Sequence, residues 1–273
     1  MFYVNKEKCI ACKQCINDCP TKIISLKDGK ASIDGDPCLK CGHCLAICPV
    51  EAVATDDYDM SEVMPYNEET FYIDPEHLLN FIRFRRSVRR FKQQEVSKEQ
   101  IAKIIQAGRY TQTGTNSQDV SYIVVQNKLG KLRDLIFESL KKKGDSILAN
   151  MTPETEFLRT YAHMWLNMYD AYKADPAVND GVFFHAPVVI FVLSPSQLNG
   201  GLASSNMELM VDALGLGTFF SGFSMVAIQD NQAILDLLGV KDQKQLVSCL
   251  VVGHPDVTYK RTTPRKQVDI NWL

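Results

Sequence analysis

Eight of the nine cysteines in this 273-residue chain occur in two copies of one pattern, CxxCxxCxxxCP, over residues 9–20 and 38–49. The copies are related by a constant offset of 29 residues. A CxxCxxC turn directs three thiolates at one iron-sulfur centre, and the fourth cysteine, which follows a wider step, reaches the centre of the other copy. The pattern therefore predicts two [4Fe-4S] clusters and single-electron transfer.

Crossed ligation divides the eight cysteines into two predicted ligand sets, as in the cysteine runs of bacterial two-cluster ferredoxins. One set is Cys9, Cys12, Cys15 and Cys48. The other set is Cys38, Cys41, Cys44 and Cys19.

Cysteine-rich patterns also occur in zinc sites and in disulfide frameworks. Zinc sites explain the CxxC pairs but not the third cysteine at a second two-residue step, nor the proline after each fourth cysteine. A disulfide framework belongs to secreted chains, whereas residues 1–9 contain no apolar leader. Iron-sulfur ligation is the interpretation that accounts for every position of the pattern.

Composition is that of a globular protein, with 45% hydrophobic and 23% charged residues. The net charge of -2 gives no reason to expect a nucleic acid or an anionic membrane as a partner. The longest largely apolar run, Ala186–Leu193, is far shorter than a membrane helix. These observations predict a soluble, cytoplasmic protein.

The chain is predicted to contain two domains. A small domain over residues 1–60 is organised by its clusters, since fewer than about 70 residues rarely form a sufficient apolar core. A polar, acidic linker over 61–77 leads to a larger domain over 78–273 with mixed helices and strands. The fold class is therefore α+β.

Local patterns predict elements of the larger domain. Ser97 and Gln100 form a capping box that opens a helix. The predicted strands are Ser121–Gln126, Ala186–Leu193 and Leu246–Val252, and a further helix covers Ser204–Leu214. Cys249 is predicted to be a core residue, and the five histidines form no second metal motif. The role of residues 141–183 is left open.

Five arginines fall within residues 83–90, around the segment RRSVRRF that begins at Arg85. Such density favours anion binding, although alone it is also typical of a solvated basic face. Further motifs follow in order: TGTNSQ at 113–118, ALGLG at 213–217, FFSGF at 219–223, GHP at 253–255 and PRK at 264–266.

In this order the motifs resemble those of the FMN-dependent nitroreductase family, from about Leu78 to the C-terminus. The resemblance implies an FMN-binding α+β sandwich that forms an intertwined homodimer with flavin at the interface. It implies cofactor-binding roles for Arg85, Arg86, Ser87, Arg89, Thr113, Thr115, Asn116, Gln118, Ser221, Gly222, Arg265 and Lys266. The chain departs from many relatives at Asp119 and Val120, after TNSQ, and at Ser221, where an acidic residue is common.

The two halves together predict an iron-sulfur flavoprotein oxidoreductase. Clusters carry single electrons and FMN transfers a hydride, here to a nitroaromatic, quinone or activated alkene; no catalytic side chain is assigned. The electron donor is an external ferredoxin-type protein or NAD(P)H. Three alternatives remain: NAD(P)H reduces FMN and the clusters export electrons, the chain is an electron carrier that docks on a partner complex, or the clusters are redox sensors.

Overall fold

The computed structural model describes residues 1–273, which divide into two compact units. The first unit comprises Met1–Asp74 and Gly114–Ser117, and the second comprises Pro75–Thr113 and Gln118–Leu273. The boundary at Asp74 lies inside the predicted linker. No helix is both long and apolar enough to cross a membrane.

The first unit contains short elements around the cysteines. In chain order they are β1 (Phe2–Val4), α1 (Gln14–Asp18), β2 (Ile24–Lys27), β3 (Lys30–Ile33), α2 (His43–Ala46), β4 (Val53–Thr55) and α3 (Glu68–Phe71). β1 pairs with β4 and β2 with β3, both antiparallel. The small core contains Cys9, Cys15 and Cys19 beside Ile24, Ala31 and Ala52, so the cysteines themselves form much of the interior.

The sequence repeat is also a backbone repeat. Left-handed φ angles occur at Ala11, Lys13 and Lys22, and again 29 residues later at Lys40, Gly42 and Glu51. Only one of these six residues is glycine, although the left-handed region costs other residues about 1–2 kcal/mol each. The two cysteine turns therefore have one conformation, which the side chains alone would not favour.

The second unit contains the remaining helices and strands. They are α4 (Pro75–Phe84), α5 (Lys98–Arg109), β5 (Ser121–Val125), α6 (Leu129–Ala149), α7 (Arg159–Ala174), β6 (Val188–Leu193), α8 (Gln197–Ala213), β7 (Gly217–Phe220), α9 (Gly222–Ile228), α10 (Gln232–Leu238) and β8 (Leu246–Gly253). Four strands form an antiparallel sheet in the order β5-β6-β8-β7. The α+β class predicted from the sequence is confirmed.

Strand β6 divides the interior into two cores. Val189, Phe191 and Leu193 pack in one core with residues of α6, α7, α9 and α10. Val188, Ile190 and Val192 pack in the other with residues of α5 and α8. Because successive side chains of a strand point to opposite faces, the continuous apolar run marks a strand covered on both faces, as predicted for Ala186–Leu193.

Asp180 anchors the turn that precedes β6. Its buried carboxylate accepts the backbone N–H groups of Phe183 and His185, each at 2.9 Å. Arg133 Nε lies 3.0 Å from the same carboxylate, but its N–H is not aimed along a hydrogen bond. The contact is therefore an ion pair, which neutralises a charge that would be costly to bury alone.

Two segments of the second unit leave apolar side chains uncovered. Helix α4 buries none of its residues, and Leu78 and Ile82 on it are 40% and 39% exposed. Beyond β8 the chain has little regular structure, and Val268, Ile270 and Trp272 are exposed near its end. Contiguous exposed apolar patches are typical of interaction sites, whereas singly exposed apolar residues are common on any protein surface.

Candidate iron-sulfur and flavin sites

The eight repeat cysteines line two cavities of the first unit. One cavity is lined by Cys9, Cys12, Cys15 and Cys48, and the space around it, adjoining solvent included, is about 300 Å³. The other is lined by Cys19, Cys38, Cys41 and Cys44, and the corresponding space is about 360 Å³. Each cavity thus takes three cysteines from one copy of the repeat and the fourth from the other copy.

A short helix precedes the fourth cysteine of each copy, the one that joins the cavity of the other copy. Cys15 and Cys44 lie in α1 and α2, and each helix ends just before the fourth cysteine of its copy. The Cys19 N–H donates to the Cys15 carbonyl at 3.2 Å, and Cys19 then adopts an extended backbone ahead of Pro20. That change of direction places Cys19 in the second cavity.

The surroundings of the sulfur atoms fit iron-bound thiolates. Ala31 N–H lies 3.4 Å from Cys9 Sγ, and Ala52 N–H lies 3.2 Å from Cys48 Sγ. The bond from Ala31 is the main cause that lowers the pKa of the Cys9 thiol. By contrast, burial raises the pKa of Cys44 to about 11. Positive charge from bound iron would be needed to hold that sulfur as a thiolate.

No three His, Cys, Asp or Glu side chains converge so as to hold a single metal ion. A [4Fe-4S] cluster makes a different geometric demand, since each of its four iron atoms takes one thiolate. Its cysteines surround a volume, as the two sets of four do here.

The arginine-rich segment of the second unit lies between two other segments. Val88 N–H donates to the Thr218 carbonyl of β7 at 3.0 Å, and Ser87 forms a parallel bridge with Thr218. On the other side, Asp256 N–H donates to the Arg90 carbonyl at 2.8 Å. Ser87 is thereby held beside the strand that leads into FFSGF, so the structure brings two of the predicted flavin motifs together.

Arg86 contacts the C-terminal segment. Its guanidinium donates to Thr263 Oγ1 at 2.7 Å and lies 5.9 Å from the centre of the Tyr259 ring. Thr263 precedes Arg265 and Lys266, the predicted terminal members of the phosphate site, by two and three residues. Arg89 of the same arginine-rich segment lies over the Phe219 ring at 5.2 Å.

Arg85 has a different partner. Its Nη1 donates to Glu208 on α8, while its Nε is buried without a hydrogen-bond partner. Asp212, one turn further along α8, has its pKa raised to about 6 by burial and by the nearby Glu208 carboxylate, against the opposing effect of Arg85. Sequence reasoning missed both carboxylates, and their i, i+4 spacing on a helix was the available signal.

The TGTNSQ loop is divided between the two units. Its middle, Gly114–Ser117, belongs to the first unit, and its ends belong to the second. Thr113 Oγ1 accepts the Gln118 N–H at 2.9 Å and closes the loop, while the Thr115 hydroxyl donates to the Gly114 carbonyl. The Asn116 amide is bound to backbone of the first unit.

Ser221 and Gly222 open helix α9. Ser221 is buried and is the N-cap, accepting the Ser224 N–H at 3.3 Å. Its own N–H donates to the Cys249 carbonyl at 2.8 Å. A Cβ atom at Gly222 would meet no atom within 4 Å. The Ser221 side chain is thus occupied in capping, whereas the backbone at Gly222 faces open space.

Two family models match the chain: the nitroreductase family over residues 82–254 and the 4Fe-4S dicluster domain over 1–62. No curated protein matches it.

Among solved structures, an FMN-bound nitroreductase from Bacteroides fragilis is 19% identical, with 71% of this chain and 97% of that one covered and a TM-score of 0.52. A BluB-like flavoprotein from Clostridium difficile is 22% identical, covers 69% and 94%, and has a TM-score of 0.51. An FMN-bound nitroreductase from Desulfitobacterium hafniense is 21% identical, covers 71% and 97%, and has a TM-score of 0.50.

At these identities the structures show a common fold, whereas the family model covers more than half of the chain. The chain therefore belongs to the nitroreductase family, as an FMN-dependent oxidoreductase preceded by a 4Fe-4S dicluster ferredoxin domain.

Proposed function

We propose that this protein transfers electrons from a low-potential donor to an electrophilic small molecule, by way of two [4Fe-4S] clusters and FMN. When bound, a cluster carries one electron at a time, and flavin converts single electrons into a hydride pair suited to a nitroaromatic, quinone or activated alkene. The observation that carries this proposal is the presence of two four-cysteine cavities in a chain with a nitroreductase domain.

In this proposal the first cluster is bound by the set that lines the smaller cavity, and the second by the set that lines the larger one. The ligands are Cys9, Cys12, Cys15 and Cys48 for the first, and Cys19, Cys38, Cys41 and Cys44 for the second. The N–H donors at Ala31 and Ala52 support the first set, because hydrogen bonds to ligand sulfur favour the anionic form.

We further propose that arginine and lysine side chains bind the FMN phosphate. Arg86, Arg89, Arg265 and Lys266 are exposed or half-buried cations, and Arg86 already contacts the segment that leads to Arg265. Arg85 is a weaker candidate, because Glu208 occupies its guanidinium. Ser87, Thr113, Gln118, Ser221 and Gly222 complete the proposed flavin contacts. No side chain is assigned to proton transfer.

We propose that the holoprotein is a homodimer through the flavin domain. The supporting observation is helix α4, none of whose residues is fully buried, although Leu79 and Ile82 are apolar and remain 38% and 39% exposed. Full burial of such side chains contributes about 1.5–3 kcal/mol each, and a second copy would supply the part of it that belongs to the surface still exposed.

The mass of the holoprotein tests this assembly. Native mass spectrometry is expected to give twice the mass of one chain, and Leu79→Arg with Ile82→Arg is expected to shift the population to monomer. Glu76→Arg, an exposed position on the same helix, serves as the matched control and should remain dimeric. A monomeric wild type would contradict the proposal.

The order of reduction tests the direction of electron flow. Anaerobic protein mixed rapidly with a reduced ferredoxin-type donor is expected to lose cluster absorbance before flavin absorbance. NADH in place of the donor provides the comparison. If NADH reduces the flavin first and the clusters follow, the clusters export electrons; if no small acceptor reoxidises the reduced protein, it is a carrier.

We place the protein in the cytoplasm. All nine cysteines are unpaired, and a reducing compartment keeps thiols in that state and preserves iron-sulfur ligands.

A further inference from the structure

The loop from Thr113 to Gln118 has an unfavourable backbone conformation. Thr115, Asn116 and Gln118 have φ angles of 51°, 56° and 47°, in the left-handed region that costs residues other than glycine about 1–2 kcal/mol each. Such conformations persist where surrounding contacts impose them, and they cluster at functional sites. In this loop, the side chain of Asn116 makes such contacts.

Asn116 binds the cysteine turn of the second copy. Its Nδ2 donates to the carbonyl oxygens of Leu39 and Lys40, each at 3.0 Å. These carbonyls lie on the two sides of Lys40, whose own φ is 51°, between the cysteines at 38 and 41. Both amide hydrogens of Asn116 are therefore used on one strained turn.

The first copy is contacted by a different group, at a different carbonyl. There Lys30 Nζ, from strand β3, donates to the Cys9 carbonyl at 2.6 Å, whereas the positions equivalent to Leu39 and Lys40 are Ile10 and Ala11. The two copies thus share a backbone conformation, but their side-chain donors bind different carbonyls of the turn. In the second copy the donor is a neutral amide, on a loop whose flanking residues Thr113 and Gln118 are proposed flavin contacts.

We propose that Asn116 is a positioning residue that raises the reduction potential of the cluster bound by Cys19, Cys38, Cys41 and Cys44, instead of binding flavin through its amide. Donation to two carbonyls polarises the peptide groups that follow Leu39 and Lys40 and strengthens their N–H groups as donors. Hydrogen bonding and local charge around the sulfur atoms set cluster potentials. The partial positive charge on the Asn116 NH₂ group also stabilises the reduced form of this cluster, which carries one more electron.

The experiment is an anaerobic redox titration of the full-length holoprotein, followed by electron paramagnetic resonance. Asn116→Ala, which removes both donors without adding charge, is expected to lower the reduction equilibrium constant of one cluster about threefold. Asn116→Asp, which adds a negative charge, is expected to lower it about tenfold, or about 59 mV for one electron. The other cluster, the iron content and the flavin content should be unchanged.

Asn150 offers a matched control, because its Nδ2 also donates to a backbone carbonyl, that of Ser146 at 2.9 Å in helix α6. Asn150→Ala and Asn150→Asp should leave both potentials unchanged. If Asn116→Ala loses iron, Asn116→Ser, which keeps one donor, is titrated instead and should show a smaller shift in the same direction.

The outcomes separate this inference from the proposed ligand sets on which it rests. Unchanged potentials in Asn116 variants that retain about eight iron atoms overturn the role of Asn116. Loss of flavin with unchanged potentials overturns it too, and returns Asn116 to the flavin site. A wild-type protein with fewer iron atoms would instead contradict the proposed clusters.

Discussion

Replacement of Cys48 by serine is expected to remove the same cluster as replacement of Cys9, although the two residues belong to different copies of the repeat. Both line the smaller cavity. Each variant should fall from about eight to about four iron atoms per chain, and the spectrum of the remaining cluster should be the same in both. Anaerobic iron and sulfide analysis with electron paramagnetic resonance measures this result.

A second pair of cysteine variants applies the same test to the larger cavity. Cys19→Ser should match Cys38→Ser, because both side chains line the larger cavity. Cys249→Ala is the control: Cys249 is buried in β8 and lines neither cavity, so its removal should leave iron unchanged. A Cys48 variant that matches the Cys38 variant would mean that each copy binds its own cluster and that crossed ligation is wrong.

Loss of flavin with intact clusters is expected when Arg86 and Arg265 are both changed to alanine. Hydrogen bonds to charged groups contribute about 1.5–3 kcal/mol, so each substitution should raise the FMN dissociation constant about tenfold to a hundredfold. Fluorescence of released flavin gives the affinity, and iron analysis of the same sample gives the cluster content.

Arg90→Ala is the matched control for this double variant. Arg90 lies in the same segment, exposed and 3.6 Å from Asp256, and it is not among the proposed flavin residues. It should retain wild-type affinity for FMN. If the double variant also retains flavin, the phosphate must bind elsewhere, and Arg85 with its Glu208 partner would be the next site to test.

Local patterns predicted the parts of this protein that depend on nearby residues. Cysteine spacing predicted two groups of four because each turn fixes three sulfur atoms by itself. The run at Ala186–Leu193 predicted a buried strand because its side chains are apolar on both faces, and the Ser97 capping box is present as predicted.

Pairings between distant segments could not be read in the same way. Strand β7 was not predicted, because two of its four residues, Phe219 and Phe220, belong to FFSGF, which was assigned only to the flavin site. Arg85 meets Glu208 across 123 positions, and Asn116 meets Leu39 across 77. No local pattern encodes such partners, since they depend on how helices and loops pack, so the arginine-rich segment could be recognised while the partner of each arginine could not.

Because both cysteine turns contain left-handed residues, folding of the N-terminal unit in a cell should depend on its clusters. Five of the six left-handed residues are not glycine, so the turns carry a conformational cost that a core of only six buried residues, three of them cysteines, offsets poorly. With the proposed clusters in place, iron-sulfur bonds supply the missing free energy. The steady amount of folded enzyme would then follow the iron and sulfide supply, and scarcity of iron would expose the N-terminal unit to proteolysis before the flavin domain loses its fold.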